Sequence, residues 1–245
     1  MHIGMPSTDL TWVLPLDDPL TVSWAGDPAT RRTAWTSLSG LHARPAAVEH
    51  GLRQRGIQLA LTPAGARALW GVPAGALAGQ LLEVDDVDPG LADLPERLAG
   101  QPTWDARVAE LERCLITTLP RHRVPAPRPD VARALATLTR GVPVAAVADD
   151  VGCSRRRLQT LVRDEVGVAP KVFQRLARFA RAHDRLRRAA LAGDVSVAAV
   201  AAASGYADQA HLAREWTALA GCSPTEWLQR EFPIVQATGA AGARG

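Results

Sequence analysis

A predicted helix over residues 154–166 carries a polar face that is rich in hydrogen-bond donors. At about 100° per residue, this face consists of Arg156, Gln159, Thr160 and Arg163. The apolar residues Leu158, Leu161 and Val162 share the opposite side. In the major groove, arginine bonds guanine and glutamine bonds adenine, each through two hydrogen bonds. We therefore expect the polar face to contact base edges.

Two more arginines, Arg155 and Arg157, flank this face at the start of the helix. Contacts from such positions to phosphate oxygens would fix the protein on DNA without reading its sequence. The alternative is an ordinary solvated charged face, which is the commoner situation for a surface helix. The elements that position the helix weigh against this alternative.

The helix belongs to a motif that occurs twice. The sequence from Val147 matches that from Val200 at an offset of 53, and after one extra turn residue Gly167 matches Gly221 at an offset of 54. In each copy a short Ala/Val helix leads through a glycine turn to a second, capped helix. The short helices cover residues 146–151 and 197–203, the glycines are Gly152 and Gly205, and the caps are Ser154 and Asp208. Two copies in register predict a pair of helix-turn-helix units.

The second helix of the second copy, over residues 208–220, offers fewer long donors. Its candidate DNA contacts are Gln209, Ala210, His211, Ala213, Arg214 and Thr217. We expect this helix to make one arginine contact with a base, to pack small side chains on thymine methyl groups, and to bind the DNA backbone. The first copy is therefore predicted to read more of the DNA sequence by hydrogen bonds.

A long helix from Pro170 to about Leu191 is predicted to connect the two copies. Its inward side chains are expected to be Phe173, Leu176, Ala180 and Leu186. Its largely outward side chains are Arg175, Arg178, Arg181, Arg185 and Arg188. A connector of this length can hold the two reading helices about one turn of DNA apart, near 34 Å.

Charge is divided unevenly along the chain. Residues 1–120 hold 9 Arg and Lys against 14 Asp and Glu, whereas residues 121–235 hold 18 against 11. The excess of basic residues in 121–235 favours a polyanion-binding module there, joined to a domain with another role. The sequence lacks an apolar run of roughly 18 residues and a recognisable secretory signal, which predicts a cytoplasmic protein without a membrane partner. Three cysteines without metal-ligand spacing argue against a disulfide framework or a zinc site.

The first half of the chain changes pattern at Pro63. Before it, short apolar runs between turn residues predict antiparallel strands of a small sandwich or barrel. After it, PAGARALW, GALAGQLLEV, GLADLPERLAG and TWDARVAELERCLITTL are predicted helical. The last segment has an apolar stripe of Trp104, Val108, Leu111, Leu115 and Leu119 opposite Arg107, Glu110 and Arg113. This stripe suits either a dimer interface or packing onto its own sheet.

The sequence thus predicts an α+β protein in four parts. Residues 1–120 are a β-rich domain with C-terminal helices, residues 121–130 a proline-rich linker, residues 131–235 an all-α domain with two helix-turn-helix units, and residues 236–245 a flexible tail.

Two segments of the second half are similar to the AraC/XylS family of transcription regulators. GYADQAHLAREWTALAGCSPTEW resembles the signature region of that family, and VAAVADDVGCSRRRLQTLVRDEVGVAPKVF resembles its first helix-turn-helix. The resemblance spans residues 130–232. It implies seven helices, with recognition helices at about residues 154–166 and 208–220 entering successive major grooves. Thr160 stands where many relatives carry arginine, and Trp216 where phenylalanine is more usual.

More weakly, GLHARPAAVEHGLRQRGIQLALTPAGARALWGVP resembles the β-rich sensor domains of that family, which implies a cupin-like or jelly-roll fold for ligand sensing or dimerisation. Independently, the strands could enclose a pocket for a small-molecule effector. The candidate lining residues are Trp12, Trp24, Trp35, His42, Arg44, His50 and Arg53. For each of them a core or rim position is the competing interpretation. The histidines lack the spacing of a metal-binding barrel, so no metal is predicted.

The leading hypothesis is a sequence-specific regulator that binds double-stranded DNA and a small-molecule effector and uses no cofactor. A second copy of the chain and RNA polymerase are further candidate partners. One alternative is an enzyme for DNA repair or alkyl transfer with a fused DNA-binding domain, but Cys114 has no histidine nearby in the sequence and no catalytic motif is present. Another is an effector-binding protein with a vestigial DNA-binding domain.

Overall fold

The N-terminal half folds into two antiparallel sheets in the computed structural model, which describes residues 2–49, 51, 54–119 and 127–232. One sheet has the order β1-β6-β3-β4 and the other the order β7-β2-β5-β8. The strands are β1 (His2–Gly4), β2 (Leu10–Pro15), β3 (Leu20–Trp24), β4 (Asp27–Ala34), β5 (Ser37–Ser39), β6 (Ala46–Glu49), β7 (Gly56–Leu61) and β8 (Leu81–Glu83). The predicted β-rich fold is confirmed.

Alternating burial explains why these segments form strands. In β2, the side chains of Leu10, Trp12 and Leu14 are fully buried, whereas the residues between them are partly exposed. In β3, Leu20, Val22 and Trp24 alternate in the same way. Successive side chains of a strand point to opposite faces, so each sheet buries one face in the core.

The described part of the N-terminal half also contains two short 3-10 helices, Val84–Asp86 and Pro89–Leu91, and four α-helices. The α-helices are α1 (Pro63–Trp70), α2 (Ala74–Leu77), α3 (Leu94–Ala99) and α4 (Trp104–Thr118). The helix predicted over GALAGQLLEV is wrong in its second half. Helix α2 ends at Leu77, because the next residue, Ala78, adopts an extended conformation with a ψ of 135°. The following LLE forms β8, which pairs with β5 and completes its sheet.

Helix α4 packs differently from the prediction. Its buried residues include Glu110, which was placed on the outward face, together with Leu111 and Cys114. The carboxylate of Glu110 accepts hydrogen bonds from Arg97 and Arg113, and these bonds compensate its burial. The predicted stripe is instead partly exposed at Trp104, Val108 and Leu119.

The C-terminal half contains seven helices within residues 127–232, as predicted. They are α5 (Pro129–Thr139), α6 (Val144–Asp150), α7 (Arg155–Val166), α8 (Pro170–Ala192), α9 (Val197–Ser204), α10 (Gln209–Ala220) and α11 (Pro224–Glu231). Helix α5 begins inside the predicted linker, because Pro129 occupies its first turn and Arg128 is the cap residue. Linker residues 121–126 and the predicted tail, residues 236–245, lie outside the described residues.

The connecting helix α8 uses its arginines in packing more than expected. Phe173, Leu176 and Leu186 are buried as predicted, but Phe179 takes the inward position that was assigned to Ala180. Arg178 and Arg181 are only partly exposed, since they bond Glu215 and the carbonyl oxygen of Thr139. These two arginines therefore hold α8 to α10 and α5 rather than facing solvent.

Candidate nucleic-acid interface

The first candidate recognition helix, α7, is fixed by its turn and its cap. Gly152 adopts a positive φ of 70°, and the hydroxyl of Ser154 accepts a hydrogen bond from the N–H of Arg157 at 3.2 Å. The apolar side of the helix, with Leu158 and Val162, is buried. All of its candidate DNA contacts are exposed: Arg155, Arg156, Gln159, Thr160 and Arg163.

The second candidate recognition helix, α10, has the same kind of turn and cap. Gly205 has a φ of 83°, and the carboxylate of Asp208 accepts a hydrogen bond from the N–H of His211 at 2.6 Å. Four of the six candidates on this helix are exposed: Gln209, Ala210, Arg214 and Thr217. The other two, His211 and Ala213, are half-buried.

Three of the polar candidates are engaged by their own copy of the motif. The Thr160 hydroxyl donates to the carbonyl oxygen of Arg156 at 3.2 Å, and the Thr217 hydroxyl donates to that of Ala213 at 2.9 Å. The Nδ1 of His211 accepts a hydrogen bond from the N–H of Ala207 at 3.4 Å. The exposed arginines and glutamines are therefore the predicted DNA contacts that have long donor side chains.

A partly buried network centred on Glu215 holds the second unit to α8. Its carboxylate accepts hydrogen bonds from Arg178 at 2.6 Å and from the Tyr206 hydroxyl at 3.0 Å, and Arg175 lies 3.4 Å away. Burial alone would raise the pKa of Glu215, but the bonds from Arg178 and Tyr206 bring it below its ordinary value. The first copy has Leu161 at the matching position, so it packs there without ions.

The N-terminal half contacts α7 at the end of the helix. A Cβ on Gly75 of α2 would lie 2.6 Å from the carbonyl oxygen of Asp164, and a Cβ on Gly167 would lie 2.1 Å from the Cβ of Ala78. Only glycine permits so close an approach at these two positions. Nearby, Arg67 of α1 forms a bidentate ion pair with Glu165, with N–O distances of 3.1 and 2.7 Å.

The end of α10 also contacts the N-terminal half. The C-cap residue of α10, Gly221, lies against Pro45. A Cβ added to Gly221 would be 3.3 Å from the proline Cγ. Beyond it, Nδ1 of His2 lies 2.8 Å from a carboxylate oxygen of Glu231 in α11. One N-terminal unit therefore contacts the C-terminal ends of both candidate recognition helices. Sequence reasoning missed these contacts because no local pattern marks them.

The structure separates the predicted effector residues. Trp12 is fully buried and packs edge-on against Trp70, whereas Trp35 is 43% exposed. His42 is buried beside Trp24, and its Nδ1 bonds the carbonyl oxygen of Arg44 at 2.6 Å. Burial lowers the pKa of His42 to about 4, so the ring is neutral at pH 7. His50 and Arg53 lie outside the described residues.

Only two of the candidates, Trp24 and Arg44, line a cleft of about 520 Å³ in the N-terminal half. The other residues around it are Ala29, Thr30, Arg31, Arg32, Gly79, Gln80, Leu81 and Leu82. Sequence reasoning missed Arg31 and Arg32, although two adjacent arginines in an acidic half of the chain were an available signal. Within the described ranges, no cluster of His, Cys, Asp and Glu is arranged to hold a metal ion. No described helix has the length and apolarity to span a membrane.

Comparison with known proteins identifies the C-terminal domain and the overall fold. A family model described as a helix-turn-helix domain matches residues 131–230. The chain is similar in structure to ToxT from Vibrio cholerae with a bound unsaturated fatty acid, at 11% identity and a TM-score of 0.53, covering 92% of this chain and 88% of ToxT.

ToxT bound to (E)-4-(8-methylnaphthalen-1-yl)but-3-enoic acid gives a TM-score of 0.52 at 10% identity, with 91% of each chain covered. These likenesses are of fold. No curated protein matches the sequence. The chain therefore contains a helix-turn-helix domain over residues 131–230, and its overall fold is similar to that of ToxT.

Proposed function

We propose that the protein is a transcription regulator that binds specific sequences of double-stranded DNA, and that its N-terminal domain adjusts this binding. One observation carries the proposal: both recognition helices expose their outward faces, while their C-terminal ends lie against one N-terminal unit. The helices are thus free to contact DNA and are held by the domain that would regulate them.

The exposed side chains of α7 and α10 are suited to different kinds of contact with DNA. Arg156, Gln159 and Arg163 of α7 supply donors for base edges, whereas Arg155 lies at the helix start, where phosphate contacts are made. On α10, Arg214 is the long exposed cation, accompanied by small side chains. The α7 unit would therefore supply most of the hydrogen-bonded readout.

Regulation by a small molecule is the second part of the proposal. Two structures of ToxT contain a bound carboxylic acid, and this chain shares the ToxT fold. Its N-terminal half has a cleft with three arginines. An effector bound there would act on DNA binding through the contacts at Gly167 and Gly221.

We include a cytoplasmic location and self-association in the proposal, with RNA polymerase as a further partner. Large apolar side chains are exposed at Trp104, Val108 and Ile116 of α4 and at Leu119 just after it, which supports self-association. Sedimentation velocity of the full chain tests it: a dimer that a Val108→Ser change dissociates supports this face. A monomer at micromolar concentration counts against it. The competing repair enzyme gains no support, because the Cys114 side chain is 3% exposed.

The experiment for DNA binding is fluorescence anisotropy with a duplex enriched from a random library and a shuffled duplex of the same composition. We expect the enriched duplex to bind at least about 10³-fold more tightly, with affinity falling steeply as salt rises. Equal affinity for both duplexes would exclude a sequence-specific regulator.

A further inference from the structure

We propose that one part of the N-terminal half braces α7 and α10 against each other, and that this brace makes the full chain selective for the spacing between two DNA motifs. The brace consists of residues 40–45 and 75–80. The inference rests on the proposed function, because it concerns how the two helices meet one duplex. It involves no ligand, and it assigns positioning roles to Gly75, Ala78 and Pro45.

The brace contacts the two helix-turn-helix copies at equivalent positions. Gly167 and Gly221, which match at the offset of 54, are the left-handed C-cap residues of α7 and α10. A Cβ on Gly167 would lie 2.1 Å from the Cβ of Ala78. A Cβ on Gly221 would lie 3.3 Å from the Cγ of Pro45. The same point on each copy is therefore in contact with the N-terminal half.

The contact with α7 is the closer of the two. A Cβ on Gly75 would lie 2.6 Å from the carbonyl oxygen of Asp164 and 2.9 Å from that of Arg163, so α2 packs directly on the last turn of α7. The ion pair of Arg67 with Glu165 lies at the same turn. Moving α7 away from the brace therefore breaks both close packing and an ion pair.

A short hydrogen-bonded path joins the two contact points. The N–H of Gly79 donates to the carbonyl oxygen of Leu41 at 2.8 Å. A Cβ on Gly40 would lie 1.7 Å from the carbonyl oxygen of Leu77, so this segment packs against the end of α2. From Leu41 the chain reaches Pro45 within four residues. The contacts at α7 and α10 therefore belong to one continuous part of the N-terminal half.

Helix α8 connects the same two copies by a second path. It begins three residues after α7 ends, and its Arg178 bonds Glu215 of α10 at 2.6 Å. The helices α7, α8 and α10 and the brace thus form a closed ring of contacts. In an open chain of elements one contact can serve as a hinge. In a closed ring, a change in the separation of α7 and α10 must distort a second contact as well.

A change of one base pair between the two motifs is large compared with what such contacts tolerate. It moves one motif by about 3.4 Å along the duplex and rotates it by about 34°. Packed atoms lose roughly a quarter to a half of their attraction across a gap of only about 0.5–1 Å. The contacts at Gly167 and Gly221 therefore resist any spacing other than the one that they fix.

Fluorescence anisotropy of the full chain with three duplexes measures the spacing preference. One is the duplex enriched from a random library, and the other two have one base pair inserted or removed between the two motifs. We expect the native protein to bind both altered duplexes at least about tenfold more weakly. Equal affinity for all three duplexes would overturn the inference, because the ring would then not fix the spacing.

Variants at the two contact points test the brace itself. Gly75→Ala pushes α2 away from α7, and Pro45→Asp places a carboxylate against the negative C-terminal end of α10. Each should reduce the discrimination between spacings at least about threefold, while affinity for a duplex with only the motif of the other helix changes less than about twofold. Gly65→Ala in α1 and Pro28→Asp at an exposed position of β4 are the matched controls and should keep the native discrimination.

Two outcomes with these variants would also overturn the inference. Native discrimination in either variant would mean that α8 sets the spacing without the brace. An equal loss of affinity on every duplex would mean that the substitution damages the DNA-binding half rather than its geometry. Failure of the proposed function is a different result, since the native protein would then bind the enriched and the shuffled duplex equally.

Discussion

Arg67 of α1 and Glu165 of α7 form a bidentate ion pair that joins the N-terminal half to the first recognition helix, with side chains only 19% and 8% exposed. Each partner lies in a different half of the chain, 98 residues apart in sequence. The ion pair lies at the last turn of α7, where Gly75 also comes close to the helix backbone. The position of α7 is therefore tied to the N-terminal half by both packing and charge.

Removing one partner of this pair should be costly. We expect Arg67→Met to lower the free energy of unfolding by about 3 kcal/mol, because it leaves the Glu165 carboxylate buried and unpaired. The double change of Arg67→Met with Glu165→Met should recover most of the loss. Urea denaturation at pH 7 measures both. A single variant as stable as the native protein would show that the pair contributes nothing.

Base reading should depend more on α7 than on the start of α10. We expect Arg156→Ala or Arg163→Ala to cost about 1–3 kcal/mol of discrimination at one base pair. His211→Ala should cost less, since the His211 ring bonds the turn at Ala207 and packs against Tyr206. Anisotropy across a panel of altered half-sites measures the difference. Equal losses of discrimination in all three variants would contradict this assignment.

The Glu215 network should matter to the second unit alone. Tyr206→Phe removes one hydrogen bond to a partly buried carboxylate and should lower the free energy of unfolding by about 1–2 kcal/mol. Because Glu215 joins α8 to α10, DNA affinity should fall most for duplexes altered in the α7 half-site, which rely on α10. The native protein on the same duplexes is the reference. An unchanged ranking of the duplexes would contradict this role.

Stability should fall below neutral pH because of His42, which is buried, and His183, which is half-buried among aromatic side chains. Burial, followed by the nearby charge of Arg187, lowers the pKa of His183 to about 4, whereas an unfolded histidine titrates near 6.5. The unfolded chain therefore binds the proton first, so the His183 contribution is complete above pH 6.5 and is lost as pH falls towards 4. His42, also near 4, acts in the same direction.

The slope of stability against pH tests this account. Each of these histidines should contribute about 1.4 kcal/mol per pH unit between pH 6 and 5, and His183→Phe should remove one such share. Phenylalanine suits the site, because His183 packs among Phe179, Trp216 and Trp227. Urea denaturation at several pH values provides the slope. An identical slope in the variant would mean that His183 does not titrate as proposed.

The sequence predicted the local elements of the C-terminal half well. The turn glycine, the cap and the buried residues Leu158 and Val162 of α7 all lie within one short segment, and the same signals recur around α10. Helix periodicity and capping depend on residues that are neighbours in sequence, so they can be predicted without the tertiary structure.

The predictions from sequence were wrong or incomplete where a residue's environment depends on contacts with distant parts of the chain. Glu110 is buried because Arg97, on another helix, supplies its partner. Strand β8 forms because β5 offers an edge. The contact of Gly75 with α7 joins residues far apart in the chain and has no local signal. Tertiary contacts override local propensity at each of these places.

The central claim is that α7 and α10 contact the same duplex in successive major grooves. Selection of duplexes from a random library by the full chain, followed by sequencing, tests it most directly. The account predicts two enriched sequence motifs about 10 base pairs apart. Arg163→Ala should weaken the base preference in only one of them. A single enriched motif, or two motifs at variable spacing, would contradict it.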